Sequence, residues 1–70
     1  MFNYSKLRGK IYEKYKTAAE FAAALGISAS ALSYRLSGRT EFTQAEILKS
    51  CKLLEIPDED VVFYFFTLAV

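Results

Sequence analysis

The sequence contains no histidine and no tryptophan, and only one cysteine, Cys51, and one proline, Pro57. A lone cysteine cannot close an intrachain disulfide, and without histidine neither a Cys/His zinc site nor a Cys/His nucleophile pair can form. Paired carboxylates and a glycine-rich phosphate loop are also missing. These absences predict a protein that is not an enzyme and that has no catalytic residues, no metal site, no cofactor and no small-molecule substrate.

Long apolar runs are equally scarce. No segment approaches the roughly 20 apolar residues that cross a bilayer, and residues 1–10 lack the apolar core of a secretory signal. The 70 residues are nevertheless 53% apolar, which is enough to fill the core of one small domain. We therefore expect a single cytoplasmic domain spanning residues 1–70, with no membrane contact.

The net charge of +1 hides an asymmetry. Residues 1–40 hold seven basic and two acidic side chains, a balance of +5, whereas residues 41–70 hold two basic and six acidic ones, a balance of −4. A basic half can face a polyanion while the acidic half points away from it. A scatter of solvated surface charges is the alternative interpretation.

Apolar residues recur at helical spacing, and no alternating strand pattern interrupts them. Asn3 can cap a first helix, and two T-x-x-E capping boxes, Thr17 with Glu20 and Thr43 with Glu46, can open the second and fourth helices. The sequence predicts a compact all-α domain of five helices with short connections.

The last two helices carry most of the apolar residues of the acidic half. The inward face of the fourth helix is predicted to be Ile47, Leu48, Cys51 and Leu54, so that Cys51 is a buried structural thiol. Acidic residues 58–60 are predicted to lie at the N-terminal end of a fifth helix, where the helix dipole favours negative charge. Its aromatic run closes the core, forms part of a dimer seam, or does both, with either Phe65 or Phe66 pointing inward and the other outward.

The most informative pattern lies in residues 17–38. Ala22 is small enough for two helices to pack closely, Gly26 can turn the chain in the left-handed conformation, and Ile27 can pin the turn to the core. Ser28 can cap the helix that follows, and Gly38 can end it. The pattern predicts a helix-turn-helix with a core of Phe21, Ala22, Leu25, Gly26, Ile27, Leu32 and Leu36.

The sequence resembles the lambda-repressor-like family, the Cro and cI type of XRE-like regulators, and within it the small Cro-like proteins of phages that infect Gram-positive bacteria. The likeness is carried by FNYSKLRGKI, TAAEFAAALGIS, LSYRLSGRTEFT and YFFT, and it covers almost the whole chain. It implies a lambda-repressor-like DNA-binding domain in the bacterial host cytoplasm, usually acting as a homodimer on operator DNA with its third helix in the major groove.

The resemblance also implies which residues make contacts. Base-edge or partner contacts fall to the exposed residues of the third helix, Ser28, Ala29, Ser30, Ser33 and Tyr34. Phosphate contacts fall to residues at the end of the third helix, around the start of the fourth helix and on the basic surface: Arg35, Arg39, Thr40, Thr43, Gln44 and Lys14. The sequence departs from the family where bases are read, because the opening turn of the third helix offers no bidentate partner for guanine or adenine.

Two functions remain open. The first is a Cro-type phage transcriptional regulator that binds double-stranded operator DNA through the third helix. The alternative is an antirepressor, or modulator of repression, that binds a phage repressor protein and has little DNA binding of its own. The resemblance permits this alternative function, since temperate phages of this group pair a repressor with a small modulator of this fold. Small residues on the third helix let another backbone approach, and Tyr34 can anchor an interface. The sequence narrowly favours DNA regulation.

Overall fold

Five α-helices follow one another along residues 1–69, the part of the chain that this computed structural model describes. They are α1 (Ser5–Lys14), α2 (Ala18–Leu25), α3 (Ala29–Leu36), α4 (Gln44–Leu54) and α5 (Val61–Phe65), with a 3-10 turn at Asp58–Asp60 just before α5. Within these residues no strand forms, and extended pairing is limited to a single antiparallel bridge between Phe2 and Leu68. The predicted all-α architecture of five helices is confirmed.

The first helix begins just after Asn3, whose side-chain Oδ1 accepts the backbone N–H of Ser5 at 2.8 Å. Gly9 lies inside this helix, and nothing is within 4 Å of the position that a Cβ atom would take there. Tyr15 follows the helix in an extended conformation and packs edge-on against Phe21, with 5.4 Å between the ring centroids. The Tyr15–Phe21 contact thus packs the end of α1 against α2.

Threonine side chains begin α2 and α4. Thr17 and Thr43 each accept, through Oγ1, the backbone N–H three residues further along at 3.1 Å. At α4 the box is complete, because the carboxylate of Glu46 accepts the N–H of Thr43 at 3.0 Å. At α2 the carboxylate of Glu20 accepts the N–H of residue 16 instead, at 3.3 Å. The box predicted there is therefore only half formed.

Residues 26–28 connect α2 to α3. Gly26 has a φ of 90°, a left-handed conformation that glycine adopts without a Cβ clash. Its N–H donates to the carbonyl groups of Ala22 at 2.9 Å and Ala23 at 3.1 Å. Ser28 caps α3 by accepting the N–H of Ala31 at 3.0 Å. The structure buries the side chains of Phe21, Ala22, Leu25, Leu32 and Leu36 around this turn and half-buries Ile27.

The core gains its remaining residues from α1, α4 and α5. Leu7, Ile11, Leu54 and Phe65 are almost completely buried. Phe65 points inward and Phe66, which is 41% exposed, points outward, so the alternation expected for this pair is confirmed. No helix within residues 1–69 is long and apolar enough to span a membrane.

The inward face predicted for α4 is wrong at one position. Leu48 is 59% exposed, while Ser50 and Cys51 are buried and Ile47 is half-buried. The inward stripe runs through Ile47 and Leu54, seven residues apart, and Leu48 lies roughly 100° around the helix from that stripe. An apolar side chain of α4 is therefore left on the surface.

Candidate functional site

The outward face of α3 carries the residues predicted to touch bases or a partner. Ser28, Ala29, Ser30 and Ser33 are all exposed, and Tyr34 is 45% exposed. Ser30 and Tyr34 lie one helical turn apart, as do Ala29 and Ser33, so they share one side of the helix. The structure thus brings this set together as a low surface of small side chains with one large aromatic ring.

Tyr34 is held in place by the segment that follows α3. Its carbonyl oxygen accepts the backbone N–H of Arg39 at 2.9 Å and of Thr40 at 3.3 Å, as the chain turns at Gly38 with a φ of 84°. The guanidinium of Arg39 lies over the Tyr34 ring, 5.3 Å from its centroid. No carboxylate within residues 1–69 forms an ion pair with Arg39. Arg39 is therefore available to bind an anion, next to Tyr34.

Arg35, the second arginine of this region, is already paired. Its Nε donates to Oε1 of Glu46 at 2.7 Å and its Nη2 to Oε2 at 3.0 Å, while Nη1 donates to the carbonyl of Ala31 at 3.1 Å. The two side chains are only 18% and 15% exposed. The fork-to-fork contact ties α3 to α4 and leaves little of the Arg35 guanidinium for a phosphate.

The start of α4 was the other predicted phosphate site. The carboxylate of Glu46 lies at this helix N-terminus and accepts the free backbone N–H of Thr43, the interaction that a phosphate would make there. The hydrogen bond from Arg35, ahead of those from Thr43, holds the pKa of Glu46 below its usual range, although burial opposes this shift. Gln44 and Thr40 are exposed beside this internal anion. A phosphate bound there would meet a negative charge.

Lys14 is also engaged within the chain. Its Nζ donates to Oε2 of Glu55 at 2.6 Å. This hydrogen bond, together with the attraction between the two charges, raises the pKa of Lys14 and lowers the pKa of Glu55. Sequence reasoning missed this partner because the two residues are 41 positions apart. It also missed Lys49, whose Nζ lies 3.7 Å from the position that a Cβ of Gly26 would take.

The remaining chemistry of the described residues is sparse. Cys51 is a buried free thiol, and burial raises its pKa. Within residues 1–69, no group of three or more cysteine, aspartate or glutamate side chains is arranged to hold a metal ion. The surface features that remain for recognition are thus the α3 face and the exposed apolar residues of α4 and α5.

Comparison with known proteins decides the family. The model of the family described as a protein of unknown function, DUF739, matches residues 1–68. The chain belongs to this family. Among curated proteins no sequence matches it significantly.

A solved structure has the same fold. The chain is similar to the solution structure of the modulator of repression (MOR) of the temperate bacteriophage TP901-1 from Lactococcus lactis. The two are 40% identical, with a TM-score of 0.81, and the match covers 93% of this chain and 88% of that one. This similarity favours the second of the two functions left open by the sequence, a modulator of repression, over a Cro-type DNA-binding regulator.

The family predicted from the sequence, the Cro and cI type of regulators, is wrong. The model that matches residues 1–68 is that of DUF739, and the similar solved structure is that of a modulator of repression. One of the segments that carried the likeness, TAAEFAAALGIS, holds residues that pack α2 against α3 around Gly26, and packing of this kind does not depend on what the exposed face of α3 binds. The contact residues carried over from that family stay predictions.

Proposed function

We propose that this chain is a phage modulator of repression, a protein that binds a phage repressor and thereby weakens repression. The observation that carries the proposal is the 40% identity to the TP901-1 modulator over nearly the whole chain. A standard protein interface takes about 800 Å² from each partner, roughly a sixth of the 4583 Å² of accessible surface on this chain. A chain with this much surface therefore has room for only a few such interfaces.

The α3 face supports a protein partner better than a DNA groove. Two groups predicted to meet phosphates, Arg35 and the N–H of Thr43, are already bonded to Glu46. Small side chains on α3 allow the backbone of a partner to come close, and Tyr34 supplies the aromatic anchor that interfaces favour. We propose that the repressor contacts this face, with Tyr34 and Arg39 at its centre.

The decisive experiment uses the purified full chain, the repressor of the phage that encodes it, and a fragment of their operator DNA. We expect calorimetry and gel filtration to show a complex of the two proteins, and the repressor to lose operator occupancy as the chain is added. We expect the chain alone to leave the operator unshifted at both 50 mM and 200 mM salt, conditions between which phosphate contacts weaken strongly. A salt-sensitive shift by the chain alone, without a protein complex, would overturn the proposal in favour of direct DNA regulation.

Replacement of Tyr34 by alanine tests the assignment of the α3 face. Tyr34 is half-exposed and is not one of the residues that form the buried core cluster, so the fold should survive. Loss of an aromatic anchor costs an interface about 2 kcal/mol, which is roughly a thirtyfold rise in Kd for the repressor. Tyr12→Ala on α1 is the matched control, because Tyr12 is also an exposed tyrosine of a helix. Equal affinities for the two variants would remove Tyr34 from the interface.

A further inference from the structure

Two apolar cavities with shared lining residues lie on the side of the molecule formed by α4, α5 and the segment before α4. One is a cavity of about 390 Å³ whose apolar walls come from α4, α5 and the residue that follows α5: Ile47, Leu48, Cys51, Val61 and Phe66. A second cavity of about 230 Å³ adjoins it and shares three lining residues with it, Gln44, Ile47 and Phe66. We call this combined feature the α4–α5 groove.

Aromatic pairs form part of the wall of the groove. Phe42 packs edge-on against Tyr4 and Phe65, with centroids 5.4 and 5.3 Å apart, and Phe66 packs edge-on against Phe2 at 5.4 Å. Edge-to-face pairs of this kind contribute stability beyond the area that the rings bury. Two large apolar side chains are nonetheless partly exposed to solvent, Leu48 by 59% and Phe66 by 41%. A preformed apolar groove beside exposed apolar side chains is typical of a docking surface.

The charges of the groove have one sign. Glu41 lines the second cavity and Asp58 lines the first, and neither cavity is lined by a lysine or arginine. Within residues 1–69 neither carboxylate forms an ion pair. Glu59 and Asp60 follow Asp58 in the same 3-10 turn but line neither cavity. An occupant that matched the groove would carry apolar side chains together with basic ones.

We infer that the α4–α5 groove docks a basic amphipathic segment of the repressor, with its apolar side chains against Leu48 and Phe66 and its lysine or arginine side chains near Glu41 and Asp58. The inference rests on the proposed function and adds a second contact to it, separate from the α3 face. A repressor must bind DNA, so it presents lysine and arginine side chains. The acidic half of this chain, rather than its basic half, is complementary to such a surface.

Two pairs of variants test the groove against the same repressor. Leu48→Lys places a positive charge in the groove, and Tyr12→Lys is its matched control, since Tyr12 is likewise 59% exposed but lies on α1. Asp58→Asn removes a groove charge, and Glu59→Gln removes a neighbouring charge that does not line it. All four positions are exposed, and circular dichroism with urea unfolding confirms that each variant is folded.

We expect Leu48→Lys to raise the Kd for the repressor at least about tenfold, and Asp58→Asn to raise it about threefold and to make binding less sensitive to salt. The two control variants should stay within about twofold of the natural chain. Overlapping peptides that cover the repressor should show which segment binds the natural chain and not Leu48→Lys, and that segment should be basic and apolar.

The outcomes separate the two proposals. If the natural chain binds the repressor and Leu48→Lys binds it equally well, the groove inference fails and the proposed function stands. If the natural chain does not bind the repressor at all, the proposed function fails and takes the inference with it. If sedimentation shows that the natural chain self-associates and that Leu48→Lys is monomeric, the groove holds a second copy of this chain and the inference is overturned.

Discussion

Replacement of Glu46 by glutamine tests the contact that joins α3 to α4. In the natural chain the carboxylate receives two hydrogen bonds from Arg35, at 2.7 and 3.0 Å, and one from the N–H of Thr43, at 3.0 Å. Both charged side chains are more than four-fifths buried. Glutamine has nearly the same shape, so the substitution removes the charge and one acceptor while it keeps the packing.

The size of the effect depends on the hydrogen bonds that glutamine can keep and on the charge that it leaves unpaired. A hydrogen bond to a charged group contributes about 1.5 to 3 kcal/mol and a neutral one about 1 kcal/mol. Glutamine can keep one acceptor contact, but the Arg35 guanidinium is then left without a counter-charge in a site that is largely closed to water. We expect Glu46→Gln to lower the free energy of unfolding by about 2 kcal/mol, which shifts the thermal midpoint of a domain of this size down by about 10 °C.

Acid should remove the difference between the two proteins. The folded state lowers the pKa of Glu46, so the carboxylate contributes stability that is fully present above its unfolded pKa of about 4.3 and is lost as the pH falls through the lower folded pKa. Urea unfolding at a series of pH values measures this. The gap between the natural chain and Glu46→Gln should be constant from pH 7 to about pH 5.5 and should narrow below about pH 4.

Two results would refute this reasoning. Equal urea midpoints at pH 7 would mean that the fork between Arg35 and Glu46 adds nothing to stability, and a gap that persists in acid would mean that the carboxylate charge is not its source. Glu55→Gln is the control, because its pair with Lys14 is exposed and should change stability far less. A double-mutant cycle with Arg35→Gln isolates the coupling between the two side chains.

Three further substitutions test the fold. Gly9→Ala should stabilise the chain by up to about 1 kcal/mol, because this helical position has open space around a new Cβ; an unchanged urea midpoint would contradict the helix at this position. Gly26→Ala should cost about 1 kcal/mol or more, because its φ of 90° is strained for any residue with a Cβ, and unaltered stability would argue against the left-handed turn. Ser50→Ala should raise the free energy of unfolding by about 1 kcal/mol, because within residues 1–69 its buried hydroxyl has no hydrogen-bond partner; a loss of stability on calorimetric unfolding would show that this hydroxyl is bonded.

Features governed by neighbouring residues were predictable from the sequence. The hydroxyl caps at Thr17, Ser28 and Thr43 and the glycine turn at Gly26 follow from backbone rules that act over three or four positions. The same local rule misjudged Glu20, because the N–H of Lys16 competes for its carboxylate at 3.3 Å. A capping box needs both partners free, and the sequence does not reveal a competitor.

Features governed by distant residues were not predictable. The rotation of α4 that leaves Leu48 outside is set by packing against other helices, and the hydropathy of α4 allows either arrangement. Arg35 was a reasonable phosphate ligand from its position near the end of α3, and its pairing with Glu46 depends on the angle between α3 and α4. The sequence therefore predicted a set of exposed residues on α3, and these residues are exposed in the structure, but it did not reveal which cations were already paired.

The charge asymmetry of the sequence was one of the arguments for DNA binding, and the structure gives this asymmetry another interpretation. Of the seven basic side chains in residues 1–40, three form ion pairs and two more lie over aromatic rings: Lys10, Lys14 and Arg35 pair with carboxylates, and Lys6 and Arg39 cover Phe63 and Tyr34. Each phosphate contact on DNA needs a cation that is free to displace a counterion. Lys10, Lys14 and Arg35 contribute to the net charge of this half but would have to break their ion pairs to bind phosphate, so a basic half is compatible with a chain whose partner is a protein.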